Sequence, residues 1–199
     1  MFYQIFLNDT FYGYTFIAHY GKGFHFHPVV GIMLKQNLKP KEPIVNGNKI
    51  NCQKVEKLSI RFIDSINFTL CPLRAFPSTF GVEGKKGHFP HYFNVKTNQD
   101  YIGPYPDKKY YGYNTFTKKN KEDFDKWYST TEGKKFNFQK EMFEYCFADV
   151  ELLLRGCIVL RQSFLNLELN GTLTGEDPFQ YITIAQLCTK IYRHMLRCM

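Results

Sequence analysis

Hydrophobic positions along the chain fall into two regimes. Residues 14–19, YTFIAH, alternate aromatic and β-branched groups and predict a strand that ends at Gly21 and Gly23. Residues 24–36, FHFHPVVGIMLKQ, predict a helix with Pro28 near its start. The stretch PIVNGNKI places Asn46-Gly47 between β-branched residues, which predicts a hairpin. Residues 58–65, LSIRFIDS, predict a second strand with Leu58, Ile60 and Phe62 on one face and Asp64-Ser65 at its end.

Beyond residue 84 the periodicity fades until about residue 120. Glycine, proline, lysine and aromatics mix there without a repeat, and the aromatics are too frequent for a solvated linker, so an ordered loop region is expected. A short helix is expected over 120–130 around Phe124 and Trp127. The strongest helical pattern covers 137–168, where Phe143, Phe147, Val150, Leu154, Cys157, Leu160 and Phe164 recur at three- and four-residue steps as one buried stripe. A last helix is expected from Asp177-Pro178, with Gln180 as capping partner and Tyr181, Ile184, Cys188, Ile191 and Met195 on one face. Strands early and helices late point to an α/β or α+β chain.

Composition narrows the class. With 199 residues, 44% hydrophobic and 18% aromatic, the chain can bury one sizeable core and is not a disordered polymer. A formal charge of +8 suits a polyanionic partner, or equally a basic surface that binds nothing. No run reaches the roughly 20 apolar residues of a membrane span, so no membrane partner is expected. The aromatic start meets Asp9 early and has no basic leader region, so it does not read as a signal peptide. Six cysteines without a C-x-x-C pair read as reduced, mostly buried thiols of an intracellular protein.

Few local motifs carry chemistry. FIAHYGKGFHFH holds a Gly-Lys-Gly turn too short for a phosphate-binding loop. His25 and His27 are two residues apart and point differently on a helix or a strand. With His19 they make a poor zinc set, and ordinary histidines are favoured. Ser65 has no base near it in sequence and reads as a strand-end hydroxyl. Tyr145 and Asp149 share a helix face. Asp149 either holds a metal or a partner, or lies on the helix's polar side, the more common arrangement.

Six blocks in fixed order say more: FIAHYGKGFHF, IRFIDSINFTLCPLRAFPSTFGV, KKGHFPHYFN, YIGPYPDKKYYG, FNFQKEMFEYCFADVELLLRGC and DPFQYITIAQLC. Together they resemble the exonuclease region of protein-primed family B DNA polymerases, the organellar, viral and Maverick/Polinton type, from about residue 14 to 195. That resemblance implies an RNase H-like fold, N-terminally incomplete and followed by long C-terminal helices. Residues 1–170 would form the partial 3′–5′ exonuclease-like domain, and 171–199 the start of the connection to a polymerase domain.

The family's exonuclease uses four carboxylates and two Mg²⁺ ions. Its Asp-x-Glu motif is absent from this sequence. In its second motif, Tyr20 stands in place of Asn and His25 in place of a metal-binding Asp, and imidazole is a poor oxygen substitute for Mg²⁺. The third motif is intact as Tyr145 and Asp149, which makes Asp149 the remaining metal ligand of the four and implies that Mg²⁺ is not bound productively. Lys86 matches the lysine beside the scissile phosphate, vestigial here like Tyr145 and Asp149.

His19, Phe24, Ser65, Ile66, Phe68 and Phe89 match positions that bind single-stranded DNA. The implied partners are single-stranded or primer-template DNA and, in the family, a terminal protein. The lysine pairs at 85–86, 108–109, 118–119 and 134–135 lie beside aromatics, as a phosphate-tracking and base-stacking groove requires, or else form a solvated basic loop. No motif of the polymerising palm is present. The expectation is a polymerase fragment that retains at most single-strand binding, with a domesticated DNA-binding module or an inert relic of a mobile element as alternatives.

Overall fold

The computed structural model describes residues 6–197 other than 24, 39, 48, 85 and 170. The protein is a mixed α/β chain that divides into two compact units: Met1–Phe76 with Arg155–Met199, and Pro77–Leu154.

The first unit carries a four-stranded sheet. Its strands are β1 (Thr15–Ala18), β2 (Pro40–Asn46), β3 (Lys49–Val55) and β4 (Ile60–Asp64), in the order β1-β4-β3-β2. β1 runs parallel to β4, and the other neighbours are antiparallel. The expected hairpin forms between β2 and β3, with Asn46 opposite Lys49 and Gly47 at a φ of +57°. Leu58 reaches the core from a 3-10 turn (Glu56–Leu58) and not from the strand itself. Ser59 breaks the extended backbone with a left-handed φ of +52° before β4 starts. Leu58, Ile60 and Phe62 nevertheless meet in one buried cluster, as expected.

Helix α1 (Phe26–Lys35) turns Phe26, Val29 and Met33 onto that cluster, the three- and four-residue spacing of an amphipathic helix. Pro28 is its third residue, inside the first turn where backbone N–H groups lack intrahelical acceptors anyway. Ile60 is fully buried, and truncating such a side chain to alanine costs about 2–5 kcal/mol. Beyond β4 come the short helices α2 (Ile66–Thr69) and α3 (Phe76–Phe80).

In the second unit the aperiodic stretch is ordered, as expected, by 3-10 turns and aromatic packing. Strand β5 (Ile102–Pro104) pairs antiparallel with β6 (Lys135–Asn137). Helix α4 (Lys118–Ser129) is capped by the Thr117 side chain. Phe124 is fully buried against Tyr111, Tyr113, Phe116, Trp127 and Tyr128. Phe89, Phe136 and Phe138 form a second core, against which Tyr105 and Tyr145 pack.

The long helix exists as α5 (Phe138–Leu165); Cys157 is buried as expected, but the first four positions of the expected stripe are not. Phe143 is 69% exposed and Phe147 59%, with Val150 and Leu154 also exposed. The face turned inward runs through Phe138, Tyr145, Asp149 and Leu152, so Asp149 is not on a solvated polar side. The helix carries two apolar stripes, and the more aliphatic one is outside.

The short pair β7 (Glu168–Leu169) and β8 (Thr172–Leu173) follows. The last helix is also reset. Asp177 caps only a 3-10 turn (Pro178–Gln180), accepting from the Phe179 N–H, and α6 spans Ile184–Arg197. Thr183 accepts from the N–H of Gln186, whose side chain accepts from the Ile182 N–H, a variant of the capping box six residues later than expected. Leu187, not Cys188, joins Ile191 on the buried face. Of the thiols, Cys52 and Cys157 are buried while Cys146 and Cys188 are exposed, which corrects the expectation that most are covered. No helix among the described residues is long and apolar enough to cross a membrane.

Candidate functional site

Two groups of side chains gather the sequence candidates, one in each unit. In the first unit the anchor is Asp64, at the end of β4. The carboxylate is fully buried and accepts three backbone N–H groups: Tyr20 at 2.9 Å, Lys22 at 2.9 Å and Ile66 at 3.1 Å. A buried charge needs such partners. The Gly-Lys-Gly turn is thereby drawn onto the strand end, and the Lys22 ammonium donates to Asn67 Oδ1 at 3.0 Å.

Tyr20 holds a left-handed φ of +59°, a conformation that asparagine tolerates better than tyrosine. A Cβ on Gly21 would lie 2.7 Å from the Phe26 ring, and one on Gly23 would lie 2.9 Å from the Tyr20 ring. Gly21 is therefore required by close packing, whereas the exposed Tyr20 ring could move aside for a side chain at Gly23. His25 ends up exposed, at the cap of α1, and so does His27.

His19 lies beside Ser65, with Nδ1 2.9 Å from Oγ, so the serine does have an imidazole next to it, contrary to the sequence reading. Ser65 Oγ donates its proton to the Ala18 carbonyl at 3.2 Å and is fully buried, so its hydroxyl is a structural link and not a nucleophile. The Phe76 ring meets the imidazole edge-on. Phe68 is buried and packs on Phe179, while Ile66 is half-buried. Phe24 lies outside the described residues.

Within this unit Arg61 ties β4 to the C-terminal segment. Its guanidinium donates to the carbonyls of Phe179 (2.9 Å) and Gln180 (3.1 Å) and to Thr15 Oγ1.

In the second unit Lys86, Tyr145 and Asp149 come together. The Lys86 ammonium is 3.4 Å from Asp149 Oδ2 and 5.6 Å from the centre of the Tyr145 ring. Burial disfavours the Lys86 charge, but the Tyr145 hydroxyl and the Asp149 carboxylate outweigh it and hold the amine above its usual range. Burial likewise raises the Tyr145 phenol, against the pull of Lys86. Phe89, buried, packs on Tyr145, and His91 meets the same ring from its edge. Burial and the Lys86 ammonium lower the His91 imidazole, partly offset by Asp149.

The magnesium implied by the resemblance does not fit these residues. Asp149 Oδ1 is buried without a partner among the described residues, which leaves one open oxygen, but the other oxygen is engaged by a cation. No three His, Cys, Asp or Glu side chains among the described residues draw together as a metal site. A pair of hard cations needs several oxygen ligands. What the group offers is a fixed ammonium beside an aromatic ring, suited to a phosphate and its base.

Sequence reasoning brought out Lys86, Tyr145 and Asp149, and these do meet. It missed Asp64 as an organiser and His91 as a neighbour of Tyr145. The signal for Asp64 was a carboxylate closing the core face of a strand next to Phe62 and Ile63; His91 had none.

The comparisons with known proteins give the family. The family described as DNA polymerase type B, organellar and viral, matches residues 10–198. A protein of Ascobolus immersus described as "Probable DNA polymerase" is 27% identical over 197 residues, covering 94% of this chain and 16% of that protein. The chain thus spans about a sixth of the length of that curated relative. No solved structure matches. With nearly its whole length matched, the chain belongs to the organellar and viral type B DNA polymerase family.

Proposed function

We propose that the chain is the exonuclease-like, RNase H-like region of a protein-primed polymerase of this family, and that it holds single-stranded DNA without cutting it. The observation that carries this reading is the engagement of Asp149 by Lys86, with Tyr145 beside them, on the inward face of α5. The third exonuclease motif survives as a cationic, aromatic contact. The second has its metal-binding position filled by His25, which is exposed. The parallel β1–β4 pair, with α1 between its strands in sequence, is compatible with an RNase H-like sheet. Residues 171–199 would lead toward the polymerising region, and DNA synthesis belongs to the whole polymerase and not to these residues. Terminal protein is the expected protein partner.

Two measurements on the full chain test this. Fluorescence anisotropy with a labelled oligothymidylate should show binding that weakens steeply with salt. Incubation of a 3′-labelled strand with Mg²⁺ or Mn²⁺ should leave it intact. Stepwise shortening would overturn the loss of nuclease activity, and absence of binding at low salt would overturn DNA holding.

A further inference from the structure

A cleft of about 520 Å³ lies in the second unit, at the end of the β5–β6 pair, and neither exonuclease motif contributes to it. Its lining includes Tyr105, Tyr128, Glu132, Gly133, Lys134 and Lys135. We propose that this cleft is a nucleotide-binding site for single-stranded DNA, in which the two tyrosines hold a base and the paired lysines hold its phosphate. The proposal rests on the DNA-holding reading above and gives it a second contact point.

The size lies within the range of about 300–1,000 Å³ typical of small-ligand sites. Both rings are fixed in advance. The Tyr105 hydroxyl donates to Glu141 Oε1 at 2.8 Å, and burial together with Glu141 keeps the phenol protonated well above its usual range. The Tyr128 hydroxyl donates to the Pro106 carbonyl at 3.1 Å. Rings already immobilised lose little entropy when a base stacks on them, and such stacking is worth about 1–3 kcal/mol per base.

The lining counts two lysines against one glutamate, Glu132, so it is cationic on balance. Gly133 takes a left-handed φ of +73° in the turn that delivers Lys134 and Lys135 to the strand end. Lys134 is tied at its N–H to the Thr131 carbonyl, and Lys135 pairs with Pro104 across the sheet, so the backbone beneath both side chains is set. A base calls for aromatic surface and its phosphate for cations; the lining supplies two tyrosines and two lysines, and Tyr128 is backed on one side by the stacked Phe124 ring.

The chain contains its own reporter. Trp127 is its single tryptophan, and the indole centre lies 6.3 Å from the Tyr105 ring and 6.2 Å from the Tyr128 ring. The full chain is titrated with labelled oligothymidylate, following label anisotropy and Trp127 emission together, alongside the variant Lys134→Glu/Lys135→Glu, whose fold is checked by circular dichroism. Both substituted side chains are exposed.

The expected result is a saturating change in Trp127 emission over the range in which anisotropy rises, with affinity about tenfold weaker and the emission change lost in the variant. Binding with flat emission, or with emission unaffected by the variant, overturns the cleft and leaves DNA holding intact. If anisotropy reports no binding, DNA holding fails, and thymidine monophosphate alone then decides the cleft. An emission change that the variant loses supports it, and none overturns it.

Discussion

Lys86 and Asp149 form an ion pair at 3.4 Å, with the aspartate on the inward face of the long helix α5. The lysine side chain is 38% exposed and the aspartate 22%, so the pair adds at most about 1 kcal/mol to stability. Replacing Lys86 by methionine should therefore leave the urea midpoint nearly unchanged. The same variant should weaken oligonucleotide binding and reduce the slope of log affinity against log salt by about one. Unchanged salt dependence would remove Lys86 from the DNA contact.

His91 supplies a pH response of opposite sense. Its folded pKa lies below the ordinary 6.5, because burial and the Lys86 ammonium disfavour the imidazolium. A depressed histidine contributes stability that is full above 6.5 and is lost as pH falls from there toward the folded value. Urea midpoints should drop on going from pH 7 to about 5, and His91→Gln should flatten part of that drop. Lys86, with its raised pKa, acts in the alkaline range. Its contribution is present below 10.5 and disappears as pH rises through the folded value.

Asp64 should be the costliest single polar loss in the first unit. Asp64→Ala would leave the N–H groups of Tyr20, Lys22 and Ile66 without their acceptor, at about 1–3 kcal/mol for each donor that water cannot reach. Tyr20→Asn, by contrast, places a residue that tolerates left-handed backbone at φ +59° and should stabilise by up to about 1 kcal/mol. Chemical denaturation of the two variants checks both signs. A neutral Asp64→Ala would mean that the turn is held by something else.

The thiols should sort by depth. Burial pushes Cys157 up to about 12 and also raises Cys52, so neither should react with a disulfide reagent until the chain unfolds. Cys188, exposed on α6, should label in the native state. Peptide mapping after brief native labelling gives the order directly. Early modification of Cys157 would show that its end of α5 opens.

Element types were readable because strands and helices differ in period. The FIAH strand, the hairpin at Asn46-Gly47 and the helix around Phe124 all stand where the pattern puts them. Period alone does not say which of two apolar stripes turns inward. On α5 the inner stripe includes Tyr145 and Asp149, which score as polar, while Phe143 and Phe147 score as core and stack on each other at 6.1 Å on the outside. The start of α6 was misjudged for a related reason. Asp177-Pro178 and Thr183-x-x-Gln186 are both capping signatures, and the first was satisfied by a single 3-10 turn. The meeting of His19 with Ser65 and of His91 with Tyr145 depends on contacts remote in sequence, which no local pattern encodes.

The donors that Asp64 gathers on Tyr20 and Lys22 belong to the backbone, so its hold on the turn does not depend on which side chains positions 20 and 22 carry. Substitution at those two positions is cheap for folding even when it removes a chemical function, whereas Gly21 is kept by the close approach of Phe26. A chain built this way can carry different side chains at positions 20 and 22 and still present the same turn. The chemistry of those positions and the architecture that holds them are then free to evolve separately.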